Sequence, residues 1–280
     1  MVRFLLNFSL TLFGICIIAT LPVLFRADLS LLNIQLFFKE LFELLKSFLS
    51  PSQITYISGM TERIILKDVF PYLKYSTIIL ISAYTIAILL GITLGIILSY
   101  KSNKIINKTF DIIRAIPDIT VFFFLQWFFL LIYKETGILL FQIAGGFENS
   151  YFIPILSLIF IPTLYFFKIT LLLVSQELTK EYIEYAKSKG LSKSSIVRSH
   201  LFPNIKLQFF NYLKPGFWYT LSNLVVLEII FNIQGVVWFI LNHQSTEVIA
   251  FTLILFLIPF HIIFSAIEAY IKKTDLRMNY

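Results

Sequence analysis

Residues Ser175 to Phe202 read SQELTKEYIEYAKSKGLSKSSIVRSHLF, and Pro203 follows. This is the longest polar interval in the second half of a very apolar chain. Its order is helix, glycine, helix. Glu177, Glu181 and Glu184 come early and Lys187 and Lys189 late, the arrangement that suits a helix dipole. Gly190 stands where a left-handed C-terminal cap needs glycine. Ser192 is a good N-cap for a second helix. Leu191 before it and Ile196 after it are spaced as a hydrophobic staple. Pro203 is expected to stop the second helix. Two readings stay open on these residues alone: an ordered two-helix connection, or a solvated loop with some helicity.

The surroundings decide where such a connection sits. The chain has 280 residues, of which 58% are hydrophobic and only 14% charged, with mean hydropathy +0.84. Apolar runs of bilayer-spanning length recur through it, which predicts a polytopic membrane protein. The net charge of +7 does not imply nucleic acid, because the basic residues lie between apolar spans rather than along one stripe. Cys16 is the single cysteine, so the chain has no internal disulfide and no cysteine metal cluster.

Six spans follow in order. The first is Phe4 to Phe25, read as a retained helix rather than a cleaved signal. Residues 33–49 have amphipathic helical character, with Ile34, Phe37, Phe38, Leu41, Leu45 and Phe48 near one face. That helix either lies flat on the membrane or packs on the protein's own outer face. The second span is Tyr75 to Ser99, where Gly91 and Gly95 permit close helix approach. Lys101, Lys104 and Lys108 follow as a basic inner loop. The third is Ile112 to Tyr133, with a kink or a late start expected at Pro117. Asp111, Arg114 and Asp118 are expected to pair locally at its inner end. Gly145-Gly146 is an outer turn.

The fourth span is Tyr151 to Val174, interrupted by Pro154 and Pro162. Lys168 within it reads as a snorkelling lysine or, more sharply, as part of an ion pathway. The fifth is Phe210 to Phe231, its inner end marked by Lys214-Pro215-Gly216. The apolar centre of the next loop, Val236 to Leu241, is expected to dip back as a scoop-like turn. The sixth is Val248 to Ile271, with Pro259 inside and a basic tail beyond. Lysine-rich loops on alternate sides place both termini, and the stretch 175–208, in the cytoplasm.

The chemistry of soluble enzymes is missing from the pattern. His200, His243 and His261 have no metal-site spacing, and no phosphate-binding Gly-x-x-x-x-Gly-Lys-Ser/Thr loop occurs. Glu228 and Glu268 read as interfacial or cap-satisfied acids, with proton relays as the sharper alternative. A transport pathway formed with a partner therefore needs an energy source from elsewhere. The competing readings are an ATP-independent secondary transporter or channel, and a membrane enzyme or scaffold.

Glu184-Tyr185-Ala186, Gly190 and Pro203 fall at the spacings of the cytoplasmic signature loop of permease subunits of ATP-binding-cassette importers, which this stretch resembles. Tyr182, Tyr185, Ala186, Lys187, Lys189, Gly190, Leu191 and Ser192, with His200 and Asn204, resemble the dipeptide, oligopeptide and nickel subgroup. Tyr185 departs from the usual middle alanine of the signature. Val225 to Gly235, Ile116-Pro117 and Asp275 extend the similarity over roughly residues 72–280.

The resemblance implies an all-α polytopic membrane protein of six transmembrane helices with the type I ABC importer permease fold. It divides the chain into residues 1–71, a first transmembrane helix with an extracellular segment, and residues 72–280, the permease domain with a cytoplasmic coupling loop at 175–208. The loop residues expected to couple to an ATPase are Tyr182, Glu184, Tyr185, Ala186, Gly190, Leu191, Ser192, Ile196, His200, Pro203 and Asn204. Tyr182, Tyr185, Leu191 and Ile196 are expected to be apolar anchors, and Ala186 and Gly190 to permit close approach. The implied partners are a second permease (a heterodimer, with a homodimer open), two ATPase subunits or domains, an extracellular substrate-binding protein and membrane lipid, with no nucleic acid. The chain itself is expected to bind no cofactor or metal, ATP and magnesium belonging to the ATPase subunits. The expected location is the plasma membrane. Dipeptides, longer peptides, nickel and metal chelates are all open as cargo, and substrate-binding residues are not assigned.

Overall fold

A computed structural model describes residues 2–25, 33–50, 54–100, 112–113, 115–137 and 150–278. The expected basic loop at Lys101, Lys104 and Lys108, the Gly145-Gly146 turn, the pairing of Asp111 and Asp118 with Arg114 and the side chains of the basic tail lie outside the described residues. The rest is helical apart from one hairpin. Helix α1 is Val2–Thr20, extended by a 3₁₀ turn at Leu21–Phe25, and α2 is Ile34–Ser47. Strands β1 (Thr55–Ser58) and β2 (Thr61–Ile64) form the hairpin, and α3 (Ile65–Asp68) and α4 (Phe70–Ser99) follow. Then come α5 (Asp118–Thr136), α6 (Phe152–Leu178), α7 (Glu181–Ser188) and α8 (Lys193–Ile196). A π turn at Val197–Leu201 leads into α9 (Phe202–Phe210), and α10 is Leu213–Ile230. Helices α11 (Val236–Asn242) and α12 (Thr246–Met278) end the chain.

Among the described residues, five segments are long and apolar enough to cross a membrane: Phe8–Phe25, Phe70–Ser99, Asp118–Thr136, Phe152–Leu178 and Thr246–Ala269. The remaining expected span is α10, an 18-residue helix. Lys214, Asn223 and Glu228 lower its apolarity. Asn223 and Glu228 face inward, at 6% and 2% exposure. Glu228, in the last turn of α10, is thus buried within the protein.

The chain forms two compact units, Met1–Thr77 with Gln234–Tyr280, and Ile78–Ile233. In the first, α2 packs on α1 and α12. Leu41 and Leu44 join Ile15, Cys16, Ala19, Ala250 and Ile254 in one buried cluster. Of the two readings of the amphipathic segment, this is the one in which the helix covers the protein's own surface. Its buried stripe is narrower than expected, since Ile34, Phe38 and Leu45 remain exposed. The Asn33 side chain caps α2 by accepting from the Leu36 N–H at 3.4 Å.

The hairpin was not anticipated from its sequence. Gly59 turns it at φ +63°, the left-handed geometry that two-residue hairpin loops use. Tyr56 of β1 donates to Asp68 Oδ2 at 2.8 Å and lays its ring against His243 at 4.7 Å. Burial first, and then the Asp68 carboxylate, push its hydroxyl up to about 12. The expected scoop at Val236–Leu241 is the short helix α11. Its Val236 N–H donates to the buried Ser76 Oγ at 2.8 Å. Asn232, at φ +48°, makes the turn out of α10.

In the second unit, the later part of α4 lies flush against α6. A Cβ on Gly91 would stand 2.5 Å from Phe166 Cβ and 2.9 Å from the Phe167 backbone nitrogen. One on Gly95 would stand 2.6 Å from Thr170 Cβ. The Gly-x-x-x-Gly pair is therefore a true contact face. Tyr84 of α4 donates to the Leu213 carbonyl at 2.7 Å and so pins the start of α10.

Three sequence expectations about proline are corrected. Pro154 and Pro162 do not interrupt α6. Pro154 lies in the first turn, where its missing N–H has no intrahelical partner to lose. Pro203 does not stop the second loop helix, which continues to Phe210. The π turn widens the ladder ahead of it, with the Phe202 N–H donating to the Val197 carbonyl. That widening moves the preceding carbonyls away from the proline ring. The expected late start of the third span is observed, with Pro117 as the residue that precedes α5.

Gly91→Val is expected to destabilise the protein by about 1–3 kcal/mol through overpacking. Gly14→Ala, which meets nothing within 4 Å, is expected to leave it unchanged or slightly firmer. Thermal midpoints of the two purified variants in detergent check the contrast.

Candidate functional site

The site is the polar connection between α6 and α10. It begins inside α6, which runs on to Leu178, so Glu177 belongs to the end of a spanning helix and not to the loop's first helix. Chain reversal at Gly190 follows from two backbone bonds. The Gly190 N–H donates to the Lys187 carbonyl at 2.9 Å, and the Leu191 N–H to the Ala186 carbonyl at 3.3 Å. This is the Schellman pattern, and Gly190 takes the left-handed conformation it requires, φ +75°. Ser192 then caps α8, its Oγ accepting from the Ser195 N–H at 3.3 Å.

The apolar side of the connection is turned into the protein. Ile183, Ala186, Ile196, Leu201, Ile205 and Phe209 join Val174 and Phe166 of α6 and Ala87 of α4 in one buried cluster. Ala186 and Ile196, expected as contact points for a partner, are 3% and 2% exposed. They are core residues of this chain. Ala186 is small because the helix carrying it packs closely on its own neighbours.

Beneath this cluster a buried carboxylate ties the helices together. Glu177 is 3% exposed. Its Oε2 lies 2.8 Å from Lys180 Nζ, and its Oε1 accepts from the Tyr182 hydroxyl. Asn204 Nδ2 donates to that same hydroxyl oxygen at 2.8 Å and to the His200 carbonyl at 2.9 Å. The Tyr182 and His200 rings lie 6.3 Å apart. The chain of bonds thus runs from α6 through α7 to α9. Burial, and next the bond to Glu177, raise the Tyr182 hydroxyl above its ordinary range, so it stays a donor at neutral pH. Tyr182, expected as an apolar anchor, is half-buried, and its hydroxyl links Glu177 to Asn204. Glu177 and Lys180 were not singled out for this role from the sequence. Their signal was the tyrosine placed five residues after an acid at the end of an apolar run.

What remains on the surface is compact. Tyr185 is 63% exposed and Leu191 39%. Glu184, Gly190, Ser192, Pro203 and Asn204 are also exposed, and His200 is half-buried. Lys189 Nζ sits 4.4 Å above the Tyr185 ring. The result is an aromatic knob and a leucine flanked by lysines, held on a rigid turn. Such a surface can enter a groove on another protein, where aromatic side chains supply much of the interface energy. Among the described residues no group of three His, Cys, Asp or Glu side chains is placed to hold a metal ion.

Comparison with known proteins gives three results. The model of a family described as "binding-protein-dependent transport system inner membrane component" matches residues 87–274. The dipeptide transport system permease protein DppB of Lactococcus lactis subsp. cremoris (strain MG1363) is 28% identical over 156 residues, 54% of this chain and 52% of that protein. The match thus spans about half the length of the curated relative. Among solved structures, a chain from the inward-facing MetNI methionine ABC transporter aligns with TM-score 0.52 and 16% identity, covering 75% of this chain and 95% of that one. That likeness is one of fold.

Tyr182→Phe is expected to lower stability by about 1–3 kcal/mol, because it leaves the buried Glu177 oxygen short of a donor. Tyr185→Phe, on the exposed face, is expected to change it little. Denaturation midpoints of the two variants, measured side by side in detergent, check this.

Proposed function

The chain belongs to the family of inner-membrane components of binding-protein-dependent transport systems, as a permease subunit with the ABC importer fold, and from that premise we propose that it imports peptides or a related small solute. Its cytoplasmic loop docks on separate ATPase subunits. The observation that carries this reading is the Tyr185–Leu191 knob. It stands exposed on a capped turn, while Ile183, Ala186 and Ile196 beside it are buried.

The mechanism follows from the bonds. ATP binding closes the ATPase pair and displaces the knob. The Schellman turn and the Glu177–Tyr182–Asn204 tie prevent the loop from yielding on its own. The displacement is therefore delivered to α6 and α10, and the helices tilt between inward-open and outward-open states. Nickel and metal chelates stay in the substrate class. The dipeptide permease among the relatives favours peptides, while the Tyr182, His200 and Asn204 pattern is shared by the peptide and nickel members of the subgroup. The proposed partners are a second permease, as a heterodimer or homodimer, two ATPase subunits carrying ATP and magnesium, and an extracellular binding protein. Residues 72–280 form the permease domain in this proposal, with both termini in the cytoplasm.

Burial changes which substitutions test docking. Ala186→Arg would disrupt this chain's own core, so its effect speaks to folding. Tyr185→Asp combined with Leu191→Asp alters only exposed positions. ATP-driven uptake by the double variant is expected to fall about tenfold or more, the loss of roughly 1.4 kcal/mol or more of coupling interaction, with unchanged protein level and thermal midpoint. Undiminished uptake would remove the docking assignment. Gly190→Pro cannot adopt φ +75° and is expected to abolish uptake while the chain still inserts in the membrane.

A further inference from the structure

Helices α5, α6 and α10 of the second unit border a cavity of about 280 Å³. Among the described residues its wall is apolar except for three side chains, Asp118, Tyr165 and Tyr219, and none of these described lining residues is a lysine, arginine or histidine. Asp118 is the first residue of α5. Tyr219 of α10 donates to Asp118 Oδ2 at 2.9 Å. Tyr165 of α6 donates to the Tyr212 carbonyl at 3.4 Å, which turns its ring rather than its hydroxyl towards the space. The Tyr165 and Tyr219 rings stand 6.1 Å apart at 44°.

We propose that this cavity binds a protonated amino group. An ionised carboxylate accepts up to about four hydrogen bonds, and the one tyrosine hydroxyl seen on Asp118 among the described residues leaves it room for an ammonium. Two tyrosine rings beside it add cation–π attraction. Phe160 and the aliphatic wall suit a short side chain attached to that amine. The volume lies at the small end of ligand pockets, which run from about 300 to 1,000 Å³. It therefore suits an amino terminus with its first residue and excludes a whole long peptide. A bare divalent metal ion is disfavoured, because the cavity offers one carboxylate and no imidazole or thiolate. The binding chemistry stands on this geometry. Its role in carrying cargo rests on the importer reading above.

The test uses the full chain, purified with the subunits that accompany it, and two probes. Alaninamide carries a free ammonium, and N-acetylalaninamide is its neutral counterpart. Ligand-observed NMR titration is expected to show saturable binding of alaninamide, with the acetylated probe at least about tenfold weaker, as expected when a charge-assisted bond worth roughly 1.4 kcal/mol or more is lost. Asp118→Asn is expected to weaken alaninamide by a similar factor, and Tyr219→Phe to weaken it severalfold while keeping the aromatic face. Equal binding of the two probes, equal binding by wild type and both variants, or no binding of alaninamide at 50 mM would each overturn the proposal. Should Asp118→Asn fail to fold, Tyr219→Phe and the probe pair decide alone. Intact amine binding in a protein without ATP-driven uptake would count against the importer reading and leave the cavity assignment standing.

Discussion

A single buried carboxylate holds the connection between α6 and α10 in shape. Glu177 is the last charged residue of α6, is almost fully enclosed, and lies within reach of Lys180 and Tyr182. An enclosed charge without partners is expensive to keep, so its neighbours are constrained as strongly as it is. Through the Tyr182 oxygen the constraint reaches Asn204, and through Asn204 the His200 carbonyl in the π turn. A membrane protein has few places where such a tie can form. Here it sits where a spanning helix gives way to polar chain.

Helix packing supplies the second half of the lever. Gly91 and Gly95 let α4 meet α6 at backbone distance. Gly216 brings α10 against the rings of Tyr165 and Phe166. Motion delivered at the end of α6 is thus shared by its neighbours, since close-packed helices do not deform continuously. The exposed knob, the buried tie and the flush helices form one mechanical series.

Much of this was legible in the residues. Gly190 and Ser192 announced their caps because those roles depend on local backbone chemistry. The apolar runs announced the spans for the same kind of reason, and Gly91 with Gly95 announced a contact. Other features depend on tertiary neighbours and were read wrongly. Nothing local distinguishes Ile196, which is buried, from Leu191, which is exposed. Tyr182 looked like an anchor because its partner Asn204 lies 22 positions away. Pro203 looked like a stop because an α-helix is the default ladder, and the π turn that admits it leaves no mark in composition. The hairpin at residues 55–64 is short and weakly alternating, and Tyr56 is held in it by contacts with Asp68 and α11.

The π turn also turns chain length into information. Ile196, Leu201, Ile205 and Phe209 all face the core, with a five-residue step at the turn and four-residue steps after it. One residue fewer between Ile196 and Leu201 would restore the ordinary ladder and set the proline ring against a carbonyl. One residue more would rotate Ile205 and Phe209 off the core and carry Asn204 away from the Tyr182 hydroxyl. The count between Gly190 and Pro203 is therefore a ruler. Within it insertions and deletions are forbidden by geometry, while the exposed letters, Leu191 among them, are free to drift with whatever surface they meet.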